Sequence, residues 1–109
     1  SMGSEMTLAS DTWINEACLP WLESTARELA DALQHKGLAC GGVRFKLKNP
    51  IHQIQTRQMK LTQPTQAWQK IFGAAQHLAR PFFGTTKVRL VGLSVYNLSE
   101  PSTQLELKL

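Results

Sequence analysis

The sequence predicts an α+β domain in which two helices cover one face of a four-stranded sheet. Three observations predict it. Apolar and cationic residues alternate over residues 43–48, as in a strand with one buried face, and apolar residues recur at helical spacing in two separate segments. These segments follow one another in the order β-α-β-β-α-β. The length of 109 residues fits a single domain, and no apolar run approaches the roughly 20 residues that span a membrane.

The first strand is expected at residues 5–10. Met6 and Leu8 are separated by one polar residue, which is the period of a strand with one apolar face. Asp11 or Thr12 then offers a side-chain oxygen that can cap the N-terminus of a following helix.

The stretch from Trp13 to Lys36 is expected to be helical. Its apolar residues recur at the four-three-four spacing of a buried stripe, namely Leu22, Ala26, Leu29 and Leu33. Pro20 favours a regular helix that begins there, with residues 13–19 as a separate turn. Gly37 is expected just beyond the helix end, where glycine readily adopts a left-handed conformation.

A β-hairpin is expected next. Residues 43–48 place three apolar side chains on one face and three cations on the other: Val43, Phe45 and Leu47 against Arg44, Lys46 and Lys48. Asn49-Pro50 interrupts the strand as a hairpin connection would, and the partner strand is expected at residues 54–61.

A second helix and a last strand complete the domain. Thr65 is expected to cap the helix, which runs to about Arg80 and ends before Pro81. Its buried stripe is Ala67, Ile71, Ala74 and Leu78. The last strand is expected at residues 87–98.

Alternation assigns hydrophilic residues to the sheet face that the helices leave open. The expected residues with phosphate-binding side chains are Arg44, Lys46, Lys48, Thr56, Gln58, Lys60 and Ser94. Cations supply affinity for a nucleic-acid backbone through counterion release, and hydroxyl groups fix the register. No outward aromatic pattern of the kind that stacks single-stranded RNA bases is present. The face therefore predicts binding to a duplex backbone without base readout.

Arg57 is a further candidate, although alternation turns it toward the helices. An unpaired cation buried there would be costly. Either a bulge re-aims Arg57 toward the open face, or its long side chain reaches a phosphate around the sheet edge.

The alternative explanation is a solvated face whose lysines keep the protein soluble. The net charge of +4 is weak support for an anionic partner on its own. The cations, however, lie on adjacent strands, and we expect few carboxylates near them. A second alternative is a stand-alone protein-interaction domain whose sheet face binds an acidic partner.

The residues provide no catalytic constellation and no metal site. Ser/His/Asp and Cys/His groupings, paired strand-end carboxylates and a glycine-rich phosphate loop are all missing from the sequence. Cys18 and Cys40 are too few for a disulfide framework, and the histidines lack ligand spacing. The chain is therefore expected to be non-catalytic and to bind no cofactor or metal.

These features resemble the C-terminal little-finger domain of Y-family translesion DNA polymerases, and most closely the bacterial DNA polymerase IV branch. Residues 43–48 look like the lysine-bearing second strand of that family, and residues 56–65 are similar to its Thr-Arg-Ser-x-Thr-Leu-x-x-Pro-Thr segment. Residues 88–98, Val-Arg-Leu-Val-Gly-Leu-Ser-Val-Tyr-Asn-Leu, are the most specific match. Gln58 departs from the pattern, since the family usually has Ser there.

The resemblance implies the end of an interdomain linker at residues 1–4, a DNA-binding domain at 5–103 and a sliding-clamp-binding peptide at 104–109. It implies a sheet that lies in the major groove of primer–template duplex. The parent protein would be a cytoplasmic DNA-directed polymerase with two Mg²⁺ ions held by its palm domain, which this chain lacks.

The tail resembles the Gln-Leu-x-Leu-x-Leu peptide by which these polymerases hold the bacterial sliding clamp. The matching residues are Gln104, Leu105, Leu107 and Leu109. A glutamine and leucines on an extended tail can fill an apolar pocket while the amide fixes orientation. The alternative is an ordinary edge strand with the same alternation.

Overall fold

Four antiparallel strands form one sheet in the computed structural model, which describes residues 1–100. The strands are β1 (Met2–Trp13), β2 (Ala39–Lys48), β3 (Ile54–Thr65) and β4 (Lys87–Ser99). The helices are α1 (Leu19–Lys36) and α2 (Trp68–Ala79), and short 3-10 turns lie at Glu16–Cys18 and Arg80–Phe82. The predicted α+β class and element order are confirmed. The clamp-binding peptide predicted at residues 104–109 lies outside the described residues.

The strand order β1-β4-β2-β3 places the most apolar strands in the middle of the sheet. α1 connects β1 to β2, and α2 connects β3 to β4, so each helix joins two strands that are separated by a third strand. This is an interleaved pair of split β-α-β units. β1 and β3 are the two edges.

The core lies between the sheet and both helices. β2 contributes Val43, Phe45 and Leu47, and β4 contributes Val91, Leu93 and Val95, all almost completely buried. The helices contribute Leu22, Leu33 and Ile71 from their predicted stripes. Each such side chain stabilises the fold by about 1.5–3 kcal/mol relative to an exposed one. Neither helix is long and apolar enough to cross a membrane.

β1 is longer at both ends than the expected strand at residues 5–10. It begins at Met2, and it resumes pairing with β4 at Thr12 and Trp13 after a register shift that follows Thr7. The proposed N-caps at Asp11 and Thr12 are therefore wrong, because both residues belong to the strand. Asn15 caps the following 3-10 turn, where its Oδ1 accepts a hydrogen bond from the Ala17 N–H at 2.8 Å.

α1 begins at Leu19, next to Pro20, as the proline predicts. It ends at Gly37, whose φ of 66° is in the left-handed region. The Gly37 N–H donates to the Gln34 carbonyl at 3.1 Å, and the Leu38 N–H donates to the Leu33 carbonyl at 2.9 Å. The predicted glycine end is confirmed.

α2 begins later than expected. Thr65 is the last residue of β3, and its Oγ1 accepts a hydrogen bond from the Ala67 N–H at 3.0 Å. This bond orders the connection, but the helix starts at Trp68 with Ala67 in the capping position. Ala67 is therefore exposed and does not join the buried stripe, whereas Ile71 and the rest of the stripe are buried as predicted.

Two glycine-to-alanine changes test this backbone in opposite directions. Gly37→Ala is expected to lower the free energy of unfolding by about 1 kcal/mol, because alanine disfavours a positive φ. Gly73→Ala, within α2 and with open space around an added methyl group, is expected to raise it by about 0.5–1 kcal/mol. Urea denaturation measures both. Loss of stability in both variants would contradict the helix boundaries.

Candidate nucleic-acid interface

The side of the sheet opposite the helices, called the open face below, carries the predicted hydrophilic residues in adjacent rows. Its members are Gly3, Glu5 and Thr7 of β1, Gly42, Arg44, Lys46 and Lys48 of β2, Thr56, Gln58 and Lys60 of β3, and Gly92, Ser94 and Tyr96 of β4, with the apolar Ile54 and Leu90 beside Lys48 at one end. All the expected phosphate-binding residues lie here except Arg57. Alternation along β2 therefore predicted the face correctly.

Arg44 is held at the centre of the open face by its neighbours on both sides. Its Nε donates a hydrogen bond to Gln58 Oε1 at 2.9 Å. Its Cζ lies 4.9 Å from the centre of the Tyr96 ring, within the range of a cation–π interaction. Gln58 thus orients a cation. A guanidinium held in this way loses less side-chain entropy when it binds a ligand.

Gly42 allows Tyr96 to lie across β2. A Cβ atom at Gly42 would stand 2.2 Å from Tyr96 Cζ, so the ring occupies the space that any side chain would fill. The two residues are register partners, and Gly42 also pairs with Lys60. The sequence analysis did not include Tyr96 among the site residues. Its contact with Arg44 gives it a role there.

A carboxylate also lies on the open face, where few were expected. Glu5, Gly92 and Lys46 are neighbours on three adjacent strands, and Lys46 Nζ forms an ion pair with Glu5 Oε2 across Gly92. An added Cβ at Gly92 would lie 3.3 Å from Glu5 Cγ, so the glycine leaves room for the carboxylate to cross. A single carboxylate among the described open-face residues agrees with the expectation of few. Its contact with Lys46 was not predicted, because the sequence did not show that β1 lies beside β4.

Arg57 lies on the helix side of β3 and not on the open face. It pairs in register with the buried Phe45, and its Cζ is 5.2 Å from the centre of the Phe82 ring. The bulge alternative is wrong, because β2 and β3 stay in register from Lys48 to Gly42. Arg57 is exposed on an edge strand, so reaching a phosphate around that edge stays a prediction.

A shallow groove of about 500 Å³ crosses the open face and contains the same cations. Its lining includes Arg44, Lys46, Ser94 and Gly92 together with Glu5. Another cavity of about 140 Å³ lies between β1 and the first 3-10 turn, and its lining contains no charged residue. Burial raises the pKa of the Cys18 thiol in that lining, which disfavours a reactive thiolate. Of these two cavities, only the groove on the open face is lined by cations.

Comparison with known proteins agrees with this geometry. The sequence model of the impB/mucB/samB family C-terminal domain matches residues 1–109, the whole chain. The chain belongs to this family. A curated relative, DNA polymerase IV 1 of Mesorhizobium japonicum (strain LMG 29417 / CECT 9101 / MAFF 303099), is 30% identical over 100 residues, which are 92% of this chain and 23% of the relative.

Solved structures of the same fold include Y-family polymerase domains. The complex of the beta-clamp processivity factor and little finger domain of PolIV matches with a TM-score of 0.68 and 27% identity, over 89% of this chain and 87% of that one. The insertion ternary complex of Dbh DNA polymerase matches with a TM-score of 0.72 and 18% identity, over 88% of this chain and 28% of that one. The resemblance to the little-finger domain is confirmed. The chain spans about a quarter of the curated polymerase relative.

The placement of Arg57 on this little-finger fold predicts a structural contribution. Arg57→Ala is expected to lower the free energy of unfolding by about 0.5–1 kcal/mol, because Phe82 loses its cation–π partner. Lys60→Ala, on the same strand but on the open face, is expected to change it by less than about 0.5 kcal/mol. Urea denaturation compares the two variants. Equal decreases in the free energy of unfolding would contradict the assignment of Arg57 to the helix side and Lys60 to the open face.

Proposed function

We propose that this chain is the duplex-DNA-binding domain of a Y-family translesion polymerase, which grips the primer–template backbone with its open face in the major groove. The observation that supports this most is the row of cations, hydroxyl groups and amides on adjacent strands. Arg44, Lys46 and Lys48 follow one another along β2, with Lys60 beside them on β3. These groups suit phosphate oxygens and carry no pattern for reading bases.

The dimensions of the sheet suit this role. Outward residues along one strand repeat about every 7 Å, and neighbouring strands lie about 4.8 Å apart. Cations on β2 and β3 therefore present charge over an area comparable with a major groove about 12 Å wide. The Arg44 guanidinium is held in place by Gln58 and Tyr96 before DNA arrives. Thr56 and Ser94 lie beside the cations, where their hydroxyl groups would fix the register on the backbone.

The parent protein, on this proposal, is a cytoplasmic DNA-directed DNA polymerase that extends primers across damaged template. Within residues 1–100, no group of three or more His, Cys, Asp or Glu side chains is placed to hold a metal ion. The family resemblance implies that the Mg²⁺ ions that such an enzyme requires would be held by its palm domain. This chain contributes affinity for the duplex, and the remaining polymerase domains contribute the chemistry.

Removing the open-face cations tests the DNA proposal. The combined change of Arg44, Lys46, Lys48 and Lys60 to Ala is expected to weaken binding to duplexes of arbitrary sequence alike. The slope of log K against log salt should become shallower by up to about 3.6, since each of the four neutralised phosphates contributes about 0.9. Fluorescence anisotropy with two unrelated duplexes over a salt series measures both effects.

A variant with the same charge change on the helix side provides the control. Arg27, Lys36, Lys70 and Arg80 are exposed on α1, α2 and the second 3-10 turn, away from the open face. Changing these four residues to Ala should leave most of the affinity and slope intact. Equal losses of duplex affinity in the two variants would mean that binding depends only on the net charge of the domain. Binding of an acidic protein in place of DNA would favour the protein-interaction alternative.

We also propose that residues 104–109 tether the parent protein to a sliding clamp. The supporting observations are the Gln-Leu-x-Leu-x-Leu pattern of Gln104, Leu105, Leu107 and Leu109 and the similarity to a little finger domain solved with the beta-clamp processivity factor. Leucines would fill an apolar pocket on the clamp, and the glutamine amide would fix the orientation of the peptide.

Deleting residues 104–109 is expected to abolish clamp binding and to leave duplex affinity within twofold. A pull-down with purified beta clamp measures the first, and anisotropy measures the second. The control variant changes Ser102 and Thr103 to Ala, which keeps the leucine pattern and should retain clamp binding. Clamp capture by the truncated chain at the level of the intact chain would refute this proposal.

A further inference from the structure

We propose that Glu5 acts as an internal competitor for phosphate on the open face, so that Lys46 becomes available to DNA only when a phosphate displaces the Glu5 carboxylate. This inference rests on the proposed DNA-binding function and adds a residue that sets its strength. Glu5 would lower the affinity of the domain for duplex DNA and would favour ligands able to take over Lys46.

The geometry places the carboxylate where a phosphate would bind. Glu5 and Lys46 are both register partners of Gly92, one from each side, and their side chains meet above it. The same two residues line the groove that contains Arg44 and Ser94. A DNA strand that followed this groove would bring a phosphate to Lys46 Nζ, which Glu5 Oε2 already contacts.

The ion pair is exposed enough to exchange. The Glu5 and Lys46 side chains are 49% and 32% exposed, so water reaches both groups and screens their attraction. Pairs of this kind contribute little to folding. A duplex presents many phosphates at once, so it can replace one carboxylate without losing its other contacts. Displaced Glu5 would then repel the same backbone, which lowers affinity further.

The Glu5–Lys46 ion pair is not needed to hold β1 in the sheet. β1 is already held to β4 by backbone pairing from Met2 to Thr7, and Met6 packs against the core from the other side of the strand. The glycine at position 92 favours the crossing of β4 by the carboxylate, because an added Cβ would stand 3.3 Å from Glu5 Cγ, a tight contact that would require a small shift of the Glu5 side chain. Exchange with phosphate gives this crossing a function.

Glu5→Gln tests the proposal, since it keeps the shape of the side chain and removes its charge. Duplex affinity at low salt should rise about threefold or more, and the salt slope should steepen by up to about one. In the same assays Lys46→Ala should weaken binding much more in the Glu5→Gln background than in the original chain. If Glu5 had a purely structural role, the loss of affinity caused by Lys46→Ala would not depend on the residue at position 5.

Glu28→Gln is the matched control, because Glu28 is exposed on α1 and its loss changes the net charge equally. It should alter duplex affinity much less than Glu5→Gln does. Equal gains from the two variants, or the same cost of Lys46→Ala in both backgrounds, would overturn the competitor role. Urea denaturation should find both variants folded, and Glu5→Ala provides a second charge-removing change with the same expected gain.

The outcomes separate this inference from the DNA proposal. If the original chain binds duplex in a salt-dependent manner and Arg44→Ala weakens it, the DNA proposal stands whatever Glu5→Gln does. If that binding persists and Glu5→Gln changes nothing, only the competitor role fails. If the original chain shows no salt-dependent duplex binding, the DNA proposal fails and the competitor role fails with it.

Discussion

Burial of one side of β2 is the constraint on which the rest of the structure depends. Val43, Phe45 and Leu47 are almost completely buried beneath the helices, and successive strand residues point to opposite faces. Arg44, Lys46 and Lys48 consequently face away from the core. A shift of one residue in register would place three cations in the core and three large apolar side chains in water, which no local rearrangement could offset. The same hydrophobic pattern therefore forms the core and orients the charges.

The two glycines on the open face decide how those charges are held. Gly42 leaves space for the Tyr96 ring, which lies beside Arg44, and Gly92 leaves space for Glu5 to meet Lys46. Arg44 is thus supported by an aromatic ring and an amide, whereas Lys46 is neutralised by a carboxylate. Two cations on one strand, two residues apart, consequently differ in how readily each one can meet a phosphate. A count of charges along the sequence does not distinguish Arg44 from Lys46.

The sequence predicted those features that depend on local periodicity. Alternation along β2 identified the open face, and Gly37 and Pro20 marked the ends of α1. The sequence did not predict the contacts that depend on the order of the strands in the sheet. Glu5 and Lys46 are 41 residues apart and meet only because β4 lies between β1 and β2. The predicted caps were the other failure, since Asp11 and Thr12 can cap a helix in isolation but belong to β1 here. Thr12 pairs with Val88 of β4, and the Asp11 carboxylate forms an ion pair with Arg89. Arg57 was correctly assigned to the helix side by alternation, but its Phe82 partner could not be foreseen.

The central claim is that duplex DNA binds the open face and not the helices. The most direct measurement is a titration of the isotopically labelled domain with a short duplex, followed by backbone amide chemical shifts at low and moderate salt. The account predicts changes concentrated at Arg44, Lys46, Gln58, Lys60 and Ser94, which reverse as salt is added, with little change in α1 and α2. Changes centred on the helices, or spread evenly over both faces, would contradict it.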